Sequence, residues 1–366
     1  MFPVEYPLKP EERVLYALRG LYQQYGYSQF KMGKFEEYDL YVRNKDFLVS
    51  DGIITFTDTD GRLMALKPDV TLSIIKNTLH MPGGVQKVYY NENVYRICGS
   101  TRSFKEIMQT GLECIGDVDL YCLCEVISLA ERSLRTIDER CVLDLSHMGV
   151  VSALVDALQP DGEMREQVLR CVAEKNADGV RKLCPGQNVD AICAMIAARG
   201  PAGAVVEAMR PWCESGPARE ALTELERVAA VLSATGCAGV NVDFSIVNDM
   251  NYYNGIVFMG YIDGIPSSVL SGGQYDKLMR RMGRNCQAVG FAIYMDQLER
   301  LNDEPRPYDV DTLVLYDDRA DIAALTKAVG ALTRAGVSVR AQKAVDGKLR
   351  YRRLLRFSEG GIVDGE

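Results

Sequence analysis

Gln109 and Glu113 lie four residues apart in a segment that alternates as a strand, so both side chains project from one face. An amide beside a carboxylate supplies hydrogen-bond donors and acceptors together, enough to hold a small polar cation. Asp69 and Thr71 follow Pro68 at the head of a helix-like run, Asp69–Leu79. A carboxylate there either complements the helix dipole or serves as an acceptor for a ligand. Tyr252, Tyr253 and Tyr275 offer aromatic walls, and Gly272 and Gly273 would let a ligand approach the backbone closely. Neighbouring side chains on a strand point to opposite faces, so only one of Tyr252 and Tyr253 is expected to face a pocket. A plainer account fits the same residues: a helix N-terminus, a paired polar strand face, and tyrosines packed in the core of a sheet.

What is scarce narrows the chemistry. His80 and His147 are the only histidines, which leaves little room for Ser/His or Cys/His nucleophilic mechanisms. Eleven cysteines are scattered without a C-x-x-C pair, so buried free thiols in a reducing compartment are expected, with no metal site and no cofactor. The formal net charge is −8 and the pI about 5.1, against a binder of nucleic acid through overall charge. No signal-peptide core and no apolar window of about 18 residues is visible, so a cytoplasmic chain without a membrane span is expected.

The 366 residues divide into a region at 1–302 and a shorter one at 308–366, joined by Asn302-Asp303-Glu304-Pro305-Arg306-Pro307. In the first, a helix over 10–25 precedes strands at 27–35, 53–57 and 63–66. Two antiparallel strands, Gln86–Arg96 and Ile107–Ile115, flank a polar loop at 99–105. A helix over 119–137, a strand over 141–145 and a short helix over 150–158 follow. Strands return at 240–247, 254–261 and 287–294, with a helix at 274–283. Residues 159–236 turn Ala-, Glu- and Arg-rich with helical period and read as a helical insertion, not as sheet. Residues 309–341 read strand, helix, strand, and 344–366 is basic, then glycine-rich, and frays. Antiparallel strands with helices before and between them predict the α+β class.

Four segments, in order, resemble the catalytic core of histidyl-tRNA synthetases, and together they span nearly all of 1–302. Leu66-Lys67-Pro68-Asp69-Val70-Thr71 stands where the family has Leu-Arg-Pro-Glu-Gly-Thr. Val94-Tyr95-Arg96 with Gln109-Thr110-Gly111-Leu112-Glu113 resembles motif 2 of class II synthetases. Asn248-Asp249-Met250-Asn251-Tyr252-Tyr253-Asn254 resembles Arg-Gly-Leu-Asp-Tyr-Tyr-Thr/Asn, and Ser271-Gly272-Gly273-Gln274-Tyr275-Asp276 resembles Gly-Gly-Arg-Tyr-Asp. Gly290-Phe291-Ala292-Ile293-Tyr294-Met295-Asp296-Gln297-Leu298 resembles motif 3. The resemblance implies an antiparallel sheet flanked by helices, and a histidine pocket. In that pocket Asp69, Thr71 and Gln109 would take the ammonium and Glu113 the imidazole; Tyr252, Tyr253, Gly272, Gly273 and Tyr275 would complete it with Arg96, which falls on motif 2's phosphate-contacting arginine and is retained. A carboxylate suits an imidazole because it accepts from a ring N–H and favours the cationic form.

The nucleotide side departs from the family. Asn248 and Gln297 replace two arginines, Cys98 replaces an adenine-contacting glutamate, and the Arg-rich loop has become Gly99–Ser103. Arg300, one helical turn beyond Gln297, is the one nearby substitute. Residues 309–341 resemble the opening of the family's anticodon-binding domain, cut short. An amino-acid pocket without a phosphate grip resembles the regulatory subunits of ATP phosphoribosyltransferase. Those paralogues make no adenylate themselves. They pair with a short catalytic subunit at the first step of histidine biosynthesis, are needed for its activity, and confer feedback inhibition by histidine. The resemblance therefore implies a hetero-oligomer, typically an octamer, containing a self-dimer, with histidine as ligand. The alternatives are a truncated active histidyl-tRNA synthetase, or a synthetase-like module binding another amino acid or an RNA. For the last, the basic run Lys343, Lys348, Arg350, Arg352, Arg353 and Arg356 is either an RNA contact or a solvated helix face.

Overall fold

A computed structural model describes residues 8–45, 52–78, 83–97, 103–186, 188–237, 239–247, 252–301, 307–358 and 361–364. The chain splits into two compact units, Met1–Asn302 and Asp303–Glu366.

The first unit opens with α1 (Pro10–Gln24), which has proline in its first turn and Glu12 reaching back to the Lys9 N–H at 2.8 Å. It buries Leu18, Leu21 and Tyr22 and ends at Gly26, whose φ of +79° favours glycine. Next come β1 (Ser28–Gln29), β2 (Phe35–Glu37), α2 (Tyr38–Val42), β3 (Thr55–Thr57), β4 (Leu63–Leu66) and α3 (Thr71–Asn77). The long hairpin β5 (Val85–Ile97) and β6 (Phe104–Gly116) follows, then α4 (Leu120–Ile137), N-capped by Asp119 through the Cys122 N–H. β7 (Cys141–His147) and α5 (Met148–Asp156) lead into the insertion. The insertion holds α6 (Gly162–Ala173), α7 (Ala177–Leu183), α8 (Asp190–Ala197), β8 (Arg199–Pro201), α9 (Ala202–Met209) and α10 (Gly216–Ala234). The unit closes with β9 (Val240–Asp243), β10 (Ile256–Ile262), β11 (Leu270–Gln274), α11 (Asp276–Arg281), β12 (Gln287–Tyr294) and a 3₁₀ segment.

Nine strands form one sheet in the order β1-β5-β6-β12-β11-β10-β7-β9-β8, antiparallel except for the β1–β5 and β7–β9 pairs. β2-β4-β3 form a separate three-stranded sheet. Because side chains alternate across a strand, the large sheet buries two cores. Tyr89, Leu112, Phe258 and Phe291 pack with Leu18, Tyr22 and helices α4 to α10 on one side. Val88 and Tyr90 pack with Leu72, Ile74, Ile75, Leu278 and Met279 on the other. Each such side chain contributes roughly 1.5–3 kcal/mol on burial. The insertion shares the larger core, and its β8 pairs with β9 at the sheet edge, so it is not purely helical as its periodicity predicts. The edge strand is only three residues long and contains Gly200 and Pro201, which disguise it in the sequence.

The second unit orders β13 (Val310–Leu315), α12 (Ile322–Arg334), β14 (Val339–Gln342), β15 (Tyr351–Ser358) and β16 (Gly361–Asp364) as a β14-β13-β15-β16 sheet over Val314, Leu325, Leu355 and Phe357. Here the sequence reading is corrected. Residues 351–358 and 361–364 do not fray but pair as strands, because Leu355 and Phe357 alternate with exposed Arg356 and bury against β13 and α12. The basic run lies on strand and turn, not on a helix face. Arg350 is paired with Asp309 at 2.8 Å, Lys343 with Asp318, and Arg353 donates to Thr312 Oγ1 at 2.7 Å. Among the described residues no helix is long and apolar enough to cross a membrane, and no group of three or more His, Cys, Asp or Glu side chains could hold a metal ion.

Candidate functional site

The site lies on the face of the large sheet that looks toward α3 and α11. On β6, Gln109, Gly111 and Glu113 occupy successive positions of one face. Glu113 stands opposite Gly290 of β12, and a Cβ at 290 would lie 1.7 Å from Glu113 Oε2. Position 290 must therefore be glycine for Glu113 to turn inward. Its carboxylate is held at both oxygens: Thr71 Oγ1 donates to Oε1 at 2.8 Å and the Tyr275 hydroxyl donates to Oε2 at 2.6 Å. These partners come from α3 and from the start of α11, so three separate elements meet on one carboxylate.

Asp69 accepts from the Leu72 N–H at 2.9 Å, which explains why it heads α3. It is nevertheless buried and lines the same cavity, so the helix-end role and the site role coexist. Arg96 Nε donates to the Pro68 carbonyl at 3.0 Å, tying the end of β5 to the turn that carries Asp69.

The cavity encloses about 140 Å³, comparable to the roughly 150 Å³ that admits one benzene-sized ring. Eight of the ten residues singled out from the sequence line it: Asp69, Thr71, Arg96, Gln109, Glu113, Tyr252, Tyr253 and Tyr275. Gly272 and Gly273 do not. A Cβ at 272 would meet Gly290 O and Phe291 Cβ at 2.5 Å, and one at 273 would meet Ile256 O and Tyr253 Cδ1 at 2.8 Å. These glycines admit neighbouring strands and the Tyr253 ring.

The tyrosine expectation is also corrected. Both Tyr252 and Tyr253 face the cavity, with ring centroids 4.7 Å apart and Tyr252 5.9 Å from Tyr275. The pair precedes β10 in a turn, where alternation does not apply. Asn254 fixes that turn: its N–H donates to Gln274 O, its side-chain oxygen accepts from Lys277 N and its amide donates to Asp276. The sequence reading passed over Tyr90, Met259, Ser268, Ser271, Phe291 and Tyr294, which also line the cavity.

The cavity's charge depends on the protonation of its acids. Two carboxylates face a single guanidinium, that of Arg96. Burial pushes Glu113 up to about 8, against the opposing hydrogen bonds from Tyr275 and Thr71. Burial likewise raises Asp69, while the Leu72 N–H and Arg96 pull it back. A ligand bringing an ammonium and a protonatable ring would replace the lost hydration of both acids.

On the nucleotide side, the Gln297 amide is engaged locally. Ser267 Oγ donates to its oxygen at 2.9 Å, and its nitrogen donates to Asp296 at 3.2 Å. Asn248, Asp249, Asn251, Cys98, residues 99–102 and the Arg300 side chain lie outside the described residues.

Comparison with known proteins gives a consistent result. Curated relatives named ATP phosphoribosyltransferase regulatory subunit include one from Geobacillus kaustophilus, 29% identical over 332 residues, covering 87% of this chain and 82% of the relative. Another, from Clostridium kluyveri, is 28% identical over 301 residues, covering 79% and 77%. Among solved structures, an ATP phosphoribosyltransferase regulatory subunit/histidyl-tRNA synthetase from Bacillus halodurans superposes with a TM-score of 0.78 at 22% identity, covering 97% of this chain and 99% of that one. The Histidyl-tRNA synthetase family model matches residues 7–298, four-fifths of the chain. The chain belongs to the histidyl-tRNA synthetase family.

Proposed function

We propose that the chain is the non-catalytic regulatory subunit of an ATP phosphoribosyltransferase, acting at the first step of histidine biosynthesis in the cytoplasm. A short-form catalytic subunit would carry the ATP and phosphoribosyl pyrophosphate sites. This chain would be required for that partner's activity within a mixed oligomer, typically an octamer built on self-dimers, and would make it sensitive to histidine. The names of the relatives at 28% and 29% identity support this reading. The observation that carries it is an asymmetry within one fold: a ring-sized cavity lined by Glu113, and an amide, Gln297, where an active synthetase keeps a phosphate-gripping arginine.

Histidine can act at a distance only if it binds two states of the complex with different affinity. Reconstitution with a short-form catalytic subunit tests the proposal. The expected result is transferase activity only in the mixture, inhibited by histidine. A catalytic subunit that is fully active alone and equally inhibited alone would overturn it.

The pocket also predicts how histidine affinity varies with pH. Free Glu113 titrates near 8 and free imidazole near ~6.5. Between those values Glu113 is protonated and the ring neutral, and the complex shares their one proton, so binding exchanges none. Above about pH 8 a proton must be taken up, and below ~6.5 one must be released. Affinity measured by calorimetry should therefore peak near neutrality and fall on both sides, by about tenfold per pH unit. A monotonic profile across that range would remove Glu113 as the imidazole partner.

A further inference from the structure

Gln274 ends β11 with its side chain on the face of the large sheet away from the cavity. It pairs with Val289, which packs in the larger core, whereas its neighbour Gly273 pairs with Gly290, opposite Glu113. Its amide nonetheless holds the turn that carries the two tyrosines. Gln274 Oε1 accepts from the Ile256 N–H at 2.6 Å, and the Gln274 carbonyl accepts from the Asn254 N–H at 3.0 Å. Gly255 lies between those two residues, and a Cβ there would come within 2.1 Å of Gln274 Oε1. A side chain at 255 would displace the amide. Arginine, which stands at position 274 in the motif this segment resembles, could not take the amide's place, because a guanidinium has no acceptor for an N–H.

Behind the amide stands the helical insertion. Gln274 hydrogen-bonds Glu224 of α10, and only its nitrogen can donate to a carboxylate. His147, at the end of β7, meets the same carboxylate, Nε2 to Oε2, at 3.1 Å. Its other nitrogen decides the tautomer: Nδ1 accepts from the Gly149 N–H at 3.0 Å, so the ring hydrogen is on Nε2 and donates to Glu224. The His147 N–H holds the Glu224 carboxyl below its usual range, against the burial that raises it, so Glu224 is an ionised acceptor for both donors. His147 is also joined to the tyrosine turn. It pairs with Ile256, and the N–H of the next residue, Met148, donates to Gly255 O at 2.9 Å. A circuit of contacts thus runs from the insertion through Gln274 to residues 254–256 and back through His147. Tyr252 and Tyr253, just before that turn, line the cavity.

We propose that Glu224 and Gln274 are positioning residues that couple the helical insertion to the amino-acid cavity. A ligand that settles the two tyrosines also settles the amide, the carboxylate and His147 behind the sheet. The assignment rests on the histidine reading above. Coupling of this kind is reciprocal: a change at Glu224 alters ligand affinity, and the ligand alters the surroundings of His147. Neither Glu224 nor Gln274 lines the cavity, so direct contact with the ligand accounts for neither effect.

The test uses the full chain with ¹⁵N-labelled histidine residues and unlabelled L-histidine as ligand. His80 and His147 are the only histidines, and His80→Gln assigns their ring signals. Saturation with L-histidine is expected to move the His147 Nε2 resonance of the wild type. Glu224→Gln offers one acceptor where two donors converge, so one link of the circuit breaks. Its Kd for L-histidine should rise about fivefold, and the ligand should no longer move the His147 signal. A variant that melts lower yet keeps the wild-type Kd would show that Glu224 serves stability alone and would overturn the coupling. A His147 signal unmoved at saturation in the wild type, where no substitution is involved, would also overturn it while leaving the histidine pocket intact. Absence of L-histidine binding by the wild type would instead overturn the pocket reading, and the coupling with it.

Discussion

Glu113→Gln is expected to make the ligand-free protein more stable while removing its response to histidine. The two effects share one cause. In the folded chain Glu113 titrates near 8, and its model value of 4.5 describes the unfolded chain. An acid raised by folding leaves stability undiminished below about 4.5. Stability is then lost as pH rises, because the unfolded chain ionises first, and the loss is complete above about 8. At pH 7 the penalty is on the order of 3 kcal/mol. Glutamine matches the protonated acid in shape and cannot ionise. The hydroxyls of Thr71 and Tyr275 can turn to suit its oxygen and amide, so both contacts survive. The variant should therefore melt roughly 5 °C higher at pH 7, with the gain shrinking toward zero near pH 4.5. The same change removes the charge that balances an imidazolium, and histidine affinity should fall on the order of 100-fold. Calorimetric melting at pH 5 and 7, paired with histidine titration, reads both arms. A variant that melts lower than wild type at pH 7 would mean that Glu113 is ionised in the free pocket, and the proton-sharing account of its affinity would fall. In the reconstituted complex, the variant should activate the catalytic subunit normally while histidine no longer inhibits.

Why these residues were legible, and others not, follows from the range of the interactions involved. Gln109 and Glu113 share a strand, and a period of two places them together without knowledge of the rest of the fold. Pro68 and Asp69 mark a helix start by local rules alone. Gly290 and Tyr90 were missed because their roles exist only across strand pairs, Glu113 with Gly290 and Gly111 with Tyr90. Register between strands is set by the whole hydrophobic pattern and the turns, which one sequence states only implicitly. A glycine between two polar residues on one strand face was the available signal. The glycines at 272 and 273, outside the cavity lining, illustrate the same limit, since bare backbone admits a neighbouring strand as readily as a ligand. The tyrosine pair was misread for a local reason: the strand begins at Ile256, and the turn before it points both rings inward. In the second unit, β15 was hidden because four arginines among its neighbours and members masked two buried apolar positions, Leu355 and Phe357.

Histidine-dependent exchange between ATP and pyrophosphate should be absent, slower than in an active synthetase by roughly four to six decades. Adenylate formation places negative charge on an α-phosphate and a departing pyrophosphate, and the family meets it with arginines where this chain has Asn248 and Gln297. Loss of one such stabiliser costs about 10²–10³ in rate, and two independent losses multiply. The structure adds a reason why a single reversion would fall short. Gln297 is tethered to Ser267 and Asp296, and its reversion alone would leave Asn248 in place of the other arginine. Gln297→Arg alone is therefore expected to leave exchange undetectable. Joining it to Asn248→Arg should raise exchange by more than either arginine does separately, provided the amino-acid pocket still positions its carboxylate for attack. Measurable exchange by the wild-type chain would mean that another cation reaches the phosphates, and the division between a retained amino-acid pocket and a lost nucleotide grip would no longer hold.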